Sequence, residues 1–332
     1  MVFILFFLCA VVTVICAIKL STYADALSEK TALGGMMVGT VLLAGATSLP
    51  EVTTSISAIM LDNPDIAIGN VLGSNMFNLL ILASFDLYFR KKQIFKGASG
   101  EHFYTASIGF LLAVTTLLAL SLKLNFTFLG IGIDTLLIIT IYAVGMFVLT
   151  NLSKKEQIIN VDPVEEEEKS KLNSSAISLK RAVYGFIIAA IVILVTGTFL
   201  TITGDRIAVI TGLGSSFVGS FLIAATTSLP EAIAVLIAIQ LRNYNLAIGS
   251  ILGSNLFNMV ILVGTDVLYQ QGGVLSFVSP VNQITAAAVS VLSVIILYSL
   301  LRKNYHSATT YTFPSVLLII IYFVSSYLIF VH

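Results

Sequence analysis

Charge is scarce in this sequence. Only 10% of its 332 residues are Asp, Glu, Lys or Arg against 57% hydrophobic, and the mean hydropathy is +1.01. No soluble fold of this length hides so much apolar surface, so the solvent around most of the chain has to be lipid. Seventeen basic and seventeen acidic residues cancel, and that balance implies no nucleic-acid partner. Cysteine is limited to Cys9 and Cys16. Seven positions apart in one helix, they are too distant for a disulfide and belong to no metal motif, which leaves packing. Histidine is equally sparse: His102, His306 and His332 fall in expected loops or at the terminus, and no His-Glu-x-x-His sequence occurs. An intramembrane protease is therefore not indicated.

What the chain has is long apolar runs. A membrane helix needs about 20 mostly apolar residues, and ten segments qualify: Val2 to Ile18, Gly34 to Leu61, Ile66 to Phe89, Tyr104 to Leu122, Phe128 to Leu152, Ala182 to Thr201, Ser215 to Leu241, Leu246 to Tyr269, Ile284 to Leu301 and Phe313 to Phe330. These runs are continuously apolar, unlike the roughly 10-residue alternating strands of a membrane barrel. The expected class is an all-α integral membrane protein. Segment one lacks the basic start of a signal peptide, its first positive charge being Lys19, and reads as a retained helix. With both termini outside, fifteen of the seventeen Lys and Arg residues fall in cytoplasmic loops, leaving Lys123 and Arg206 outside, as the positive-inside rule requires.

An internal repeat organises the segments. Glu51 and Glu231, Ser74 and Ser254, and Asn78 and Asn258 are each 180 positions apart, and roughly half of the residues from Val38 to Asp86 match their partners from Val218 to Asp266. Each half then carries five helices, residues 1–152 with a motif at 38–88 and residues 182–332 with a motif at 218–268. Because five is odd, the second half enters the membrane upside down. Inverted-topology repeats of this kind mark secondary transporters, whose substrate sits near the midplane where the repeats meet. Between them, 153–181 reads as a solvated cytoplasmic linker; its run Glu165 to Glu168 lacks the glycine turn and ligand spacing of an EF-hand.

Two carboxylates stand where lipid makes them expensive, about 2.5 to 3.5 kcal/mol each even on lenient scales. Each follows a proline, in Thr47-Ser48-Leu49-Pro50-Glu51 and Thr227-Ser228-Leu229-Pro230-Glu231. Proline breaks or kinks the preceding turn, which is expected to free carbonyls near Ala44, Thr47, Ala224 and Thr227. In hydrocarbon such groups need another partner. Bound cations supply one, since Na⁺ and Ca²⁺ prefer all-oxygen shells, and the hydroxyls of Thr47, Ser48, Thr227 and Ser228 add to the set. The next helix of each half brings Gly69 to Asn78, answered by Gly249 to Asn258. Ser74 and Asn78 share one face, as do Ser254 and Asn258, while Gly69 and Gly73 read as a close-packing seam. Asp86 and Asp266 form another matched pair, expected near opposite membrane surfaces as anchors or, less simply, in ion access.

The doubled Thr-Ser-Leu-Pro-Glu and Gly-Ser-Asn motifs resemble the two α-repeats of the calcium/cation antiporter superfamily, most closely its prokaryotic sodium/calcium exchanger branch. That resemblance implies that Glu51 and Glu231 bridge bound ions and that Thr47 and Thr227 offer backbone oxygen to calcium. It places flanking sodium sites at Ala44, Ser48 and Ser74 and at Ala224, Ser228 and Ser254, with Asn78 and Asn258 as the remaining polar pair. Departures are the Ala46-Thr47-Ser48 and Thr226-Thr227-Ser228 stretches, where the family usually has Gly-Thr-Ser, and Asn258, where several relatives carry aspartate. The neutrality of Asn258 argues against potassium co-transport. The proton/calcium branch usually sets its central glutamate in Gly-Asn-x-x-Glu, which is absent here. The expected activity is exchange of Ca²⁺ for Na⁺ by alternating access, with the first and sixth segments sliding over the bundle, no resident cofactor, and a monomer as the functional unit in the cell membrane. Proton-coupled exchange of Ca²⁺ or another divalent cation is the alternative, and a passive channel lacks an obvious pore loop.

Overall fold

A computed structural model describes residues 1–30, 45–159, 177–302 and 308–332 of the chain. The helices are α1 (Val2–Lys30), α2 (Leu49–Met60), α3 (Pro64–Tyr88), α4 (Gly100–Leu122), α5 (Ile133–Ile159), α6 (Leu179–Thr211), α7 (Ser215–Thr227), α8 (Leu229–Gln240), α9 (Tyr244–Leu268), α10 (Val281–Leu301) and α11 (Ala308–Val331). Among the described residues, eight helices are long and apolar enough to cross a membrane, and the pair α7 and α8 makes a ninth span bent by 41°. Of the expected second span, residues 34–44 lie outside the described ones, Ala44 included.

The repeat is carried into the backbone. Helices α2 and α8 begin and end 180 positions apart, and so do α3 and α9. The starts are held the same way, because the Asn63 side chain accepts from the Ile66 N–H at 3.1 Å and the Asn243 side chain from the Leu246 N–H at 2.9 Å, satisfying donors that a helix N-terminus leaves free. Pro50 and Pro230 sit in the first turns of α2 and α8, where a residue without an N–H costs no hydrogen bond. The helix breaks therefore fall one step earlier, at Ser48 and Ser228.

Several expected boundaries move for identifiable reasons. Helix α1 runs to Lys30 instead of Ile18, and α6 spans 179–211 instead of 182–201. Hydropathy falls at such ends, but helical hydrogen bonding continues through polar side chains, and the Ser21 and Thr22 hydroxyls donate back to Ala17 and Ile18 carbonyls. The fifth expected span starts too early: Thr127–Phe128 and Ile131–Gly132 form a small antiparallel hairpin before α5. Its tip, Leu129 and Gly130, has φ of 54° and 82°, the left-handed pair that a tight two-residue hairpin turn demands. In α11, Pro314 cannot donate to the Thr310 carbonyl, which instead accepts from the Arg302 guanidinium at 2.7 Å.

Two layers result. In the most apolar window of α3, 89% of the residues are buried, against 17% for α1 and 28% for α6, so α3 is the core strut and the α1/α6 pair forms the periphery. Helices α1 and α6 pack along their length and share a Thr13 to Thr196 hydroxyl bond of 2.7 Å. Helix α6 also lies over α2, where the Thr201 hydroxyl donates to the Thr54 carbonyl at 3.1 Å and the Ser57 and Thr198 hydroxyls are 3.0 Å apart. At the centre α3 crosses α7 in backbone contact: a Cβ on Gly69 would lie 2.9 Å from the Ser216 carbonyl oxygen, and one on Gly219 2.7 Å from that of Ile66. The expected glycine seam is thus real, and its partner is the segment that leads into the second glutamate.

Candidate functional site

Helices α2 and α8 bring their first turns to the middle of the bundle, and with them Glu51 and Glu231, each 1% exposed. Each carboxylate lies within electrostatic reach of the other. Glu51 also faces the Thr227 and Ser228 hydroxyls of the opposite repeat. Ser48, Thr47, Ser74, Asn78, Ala224, Thr227, Ser228, Ser254 and Asn258 are all buried as well. Two contacts cross between the repeats here: the Ser74 and Thr227 hydroxyls are 3.4 Å apart, and the Thr227 hydroxyl donates to Asn70 Oδ1 at 3.4 Å.

One expectation is corrected. The Ala224 carbonyl is not freed by the break, because the Ser228 N–H donates to it at 3.0 Å and the Thr227 hydroxyl at 3.3 Å. Pro230 lacks the donor that would reach Thr226, four residues back, so the loss falls two residues beyond Ala224.

Buried polar atoms without a hydrogen-bond partner include the same residues. Among the described residues, six such oxygens form three pairs 180 positions apart: Ser48 Oγ with Ser228 Oγ, Glu51 Oε2 with Glu231 Oε2, and Asn78 Oδ1 with Asn258 Oδ1. A fourth pair, His102 Nε2 and Asn282 Oδ1, belongs to the first turns of α4 and α10. Polar atoms without partners are uncommon in a protein interior and costly there. Two carboxylates and four neutral oxygens, with neither thiolate nor imidazole among them, match a hard cation and not a soft one.

Asparagines missed in the sequence complete the site. Asn70 Nδ2 donates to Thr54 Oγ1 at 2.7 Å and Ser55 Oγ at 3.0 Å, and more loosely to the Glu51 carbonyl at 3.4 Å. The second repeat has Ser250, Ala234 and Val235 at the matching positions, so this polar support belongs to Glu51 alone. Asn75 and Asn255 lie in the crossing of α3 with α9 and bond the site asparagines of the opposite repeat. A signal was present in the doubled Gly-Ser-Asn motif, but hydropathy and spacing do not show which residue an amide meets across an interface.

Asp86 and Asp266 are buried anchors. Asp86 accepts from the Tyr311 hydroxyl and, at 2.6 Å, from that of Ser315; Asp266 accepts from the Gly132 N–H at 2.8 Å and the Val274 N–H at 2.6 Å. Each ties the end of its helix to neighbouring elements. Replacing Asp266 by alanine orphans two backbone donors, so Asp266→Ala should lower stability by about 2 kcal/mol or more while leaving half-saturating cation concentrations unchanged. Thermal unfolding in detergent beside uptake titration checks both halves of that statement.

Lipid-crossing helices in two repeats, with paired carboxylates and neutral oxygens buried where the repeats meet, define the class of membrane cation exchangers. A family profile described as sodium/calcium exchanger protein matches residues 1–152 and 181–331, and the chain belongs to that family. The inner membrane protein YrbG of Escherichia coli (strain K12) is 23% identical over 237 residues, covering 71% of this chain and 70% of that protein. Among solved structures, the H⁺/Ca²⁺ exchanger CAX superposes with a TM-score of 0.72 over 99% of this chain and 86% of that one, at 14% identity. The sodium-calcium exchanger NCX_Mj does so with a TM-score of 0.58 over 98% of each chain, at 19% identity. At these identities both likenesses speak for the fold.

Proposed function

We propose that the chain exchanges Ca²⁺ for Na⁺ by alternating access, with Glu51 and Glu231 bridging the ions and the oxygens of Thr47, Thr227, Ser48, Ser228, Ser74, Ser254, Asn78 and Asn258 around them. The supporting observation is the set of six buried oxygens without a hydrogen-bond partner, in symmetric pairs on residues of the repeated segments. Two adjacent carboxylates in a medium of low dielectric are expensive to occlude uncompensated. One Ca²⁺ cancels their two charges, and so do two Na⁺. A closed site without cations costs far more than one with them, so the conformational change carries a load in both directions and exchange is obligatory.

The outer helices α1 and α6 are the moving parts in this reading, since most of their surface is free of the core and α6 already lies over α2. A second reading, proton-coupled exchange, rests on Glu51 Oε2 and Glu231 Oε2: each is an acceptor that a proton would also occupy. Uptake of Ca²⁺ into proteoliposomes distinguishes the two when Na⁺, K⁺ and H⁺ gradients are imposed separately. The expected result is uptake driven by an outward Na⁺ gradient and abolished by dissipating it. Uptake that follows only a pH gradient selects the proton, and flux with no counter-ion rejects exchange altogether.

A further inference from the structure

Four asparagines meet where α3 crosses α9, and their bonds form a closed set. Asn78 Nδ2 donates to Asn255 Oδ1 at 2.9 Å, and Asn258 Nδ2 donates to Asn75 Oδ1 at 2.9 Å. Asn75 Nδ2 in turn donates to the Asn255 carbonyl at 3.3 Å, and Asn255 Nδ2 to the Asn75 carbonyl at 3.2 Å. All four side chains are 7% exposed or less. An amide side chain has a donor end and an acceptor end of almost equal size, so its orientation is decided by its partners.

Polarity here propagates from the backbone. A main-chain carbonyl can only accept, so the Asn75 carbonyl fixes the NH₂ end of Asn255 toward itself. That turns Asn255 Oδ1 toward Asn78, which must answer with its own NH₂. Asn78 Oδ1 is then left pointing away from the quartet, and it is one of the oxygens without a donor. The same chain of reasoning runs from the Asn255 carbonyl through Asn75 to Asn258 Oδ1. Flipping Asn75 or Asn255 would set N–H against N–H and oxygen against oxygen, and flipping Asn78 or Asn258 would set oxygen against oxygen.

We infer that Asn75 and Asn255 are positioning residues that lock the amides of Asn78 and Asn258, so that each presents oxygen and not N–H to the cation. The inference rests on the ion site proposed above and deepens it. It explains why a neutral residue suffices at both positions: an oriented amide oxygen is a cation ligand, whereas a free one presents its donor end at no cost. It also makes each repeat's ligand depend on the other repeat, since Asn78 is held by Asn255 and Asn258 by Asn75.

A mutant cycle on the full-length protein in proteoliposomes tests this, reading half-saturating Ca²⁺ for uptake. Asn255→Leu removes the acceptor that holds Asn78 and should raise half-saturation about tenfold, the usual scale for a residue supporting a metal ligand. In the Asn78→Asp background the ligand has two equivalent oxygens and nothing to orient, so adding Asn255→Leu should change half-saturation by less than about twofold. Asn255→Ser, too short to reach the Asn78 amide, carries the same expectation and covers the case in which leucine prevents folding. An equal loss in both backgrounds would show a merely structural role and overturn the inference, as would wild-type half-saturation in Asn255→Leu or Asn255→Ser. Asn78→Ala separates the two levels: if it is impaired while Asn255→Leu is not, the positioning role alone fails, and if it too is unchanged, Asn78 is no ligand and the site reading fails at that position.

Discussion

Glu51→Gln and Glu231→Gln should each reduce calcium exchange by roughly 10² to 10⁴-fold, corresponding to the 3 to 5 kcal/mol that removing one member of a buried charge set typically costs. Each substitution keeps side-chain shape and replaces one carboxylate by an amide. Two things change for a bound Ca²⁺. Its second charge is no longer cancelled in a medium where uncompensated charge is expensive, and one of the converging oxygens becomes an N–H donor or must compete for orientation. A site with a single carboxylate still balances one Na⁺, so sodium flux is expected to fall less than calcium flux. The double variant should be little worse than either single one, because the two carboxylates act as a unit and the first loss already disables it. Uptake in proteoliposomes, with gel filtration to confirm a folded protein, measures all three. Full calcium uptake in either single variant would show that the carboxylates do not carry the ion.

Much of this site can be read without coordinates because the repeat supplies an internal control. A lone glutamate beside a proline in an apolar run is ambiguous, but the same pair 180 positions later, with Ser and Asn keeping register behind it, selects for something that needs two of each. Burial of Glu51 and Glu231 and the matching bounds of α2 with α8 and α3 with α9 follow from that. What stays hidden is of two kinds. One is departure from symmetry: Asn70 has a serine as its counterpart, and whether its amide supports Glu51 or packs elsewhere depends on α3 and α2 meeting at a particular rotation. The other is local backbone geometry, such as the π-helical turn at Val218–Ile223 or the hairpin ahead of α5, where one residue more or fewer per turn changes no hydropathy average. The Ala224 carbonyl is a different case, since Pro230 withholds its donor from Thr226, four residues back, and that spacing is legible in the sequence.

Gly73 is where packing and site cannot be separated. A Cβ on this residue would overlap the backbone of Ser220, meeting its carbonyl oxygen, carbonyl carbon and Cα together. Backbone atoms have no rotamer to escape into, so Gly73→Val forces α3 and α7 apart. The displacement cannot be absorbed at the seam, because Gly69 and Gly219 are in backbone contact along the same line. Overpacking of a rigid contact costs about 3 kcal/mol, at times more, and here the rest of α7 moves with it. Thr227 would draw away from Ser74 and Asn70, contacts that are already at 3.4 Å. Gly73→Val is therefore expected to lower the thermal unfolding temperature sharply and, in whatever fraction folds, to weaken calcium and sodium binding together. Gly109→Ala is the comparison: its added methyl would find only the Leu256 Cδ2 atom, at 3.8 Å, and alanine is favoured over glycine in a helix by up to about 1 kcal/mol. Equal stability of these two variants would mean that α3 and α7 do not touch through their backbones, and the route by which the second glutamate is held opposite the first would have to be drawn again.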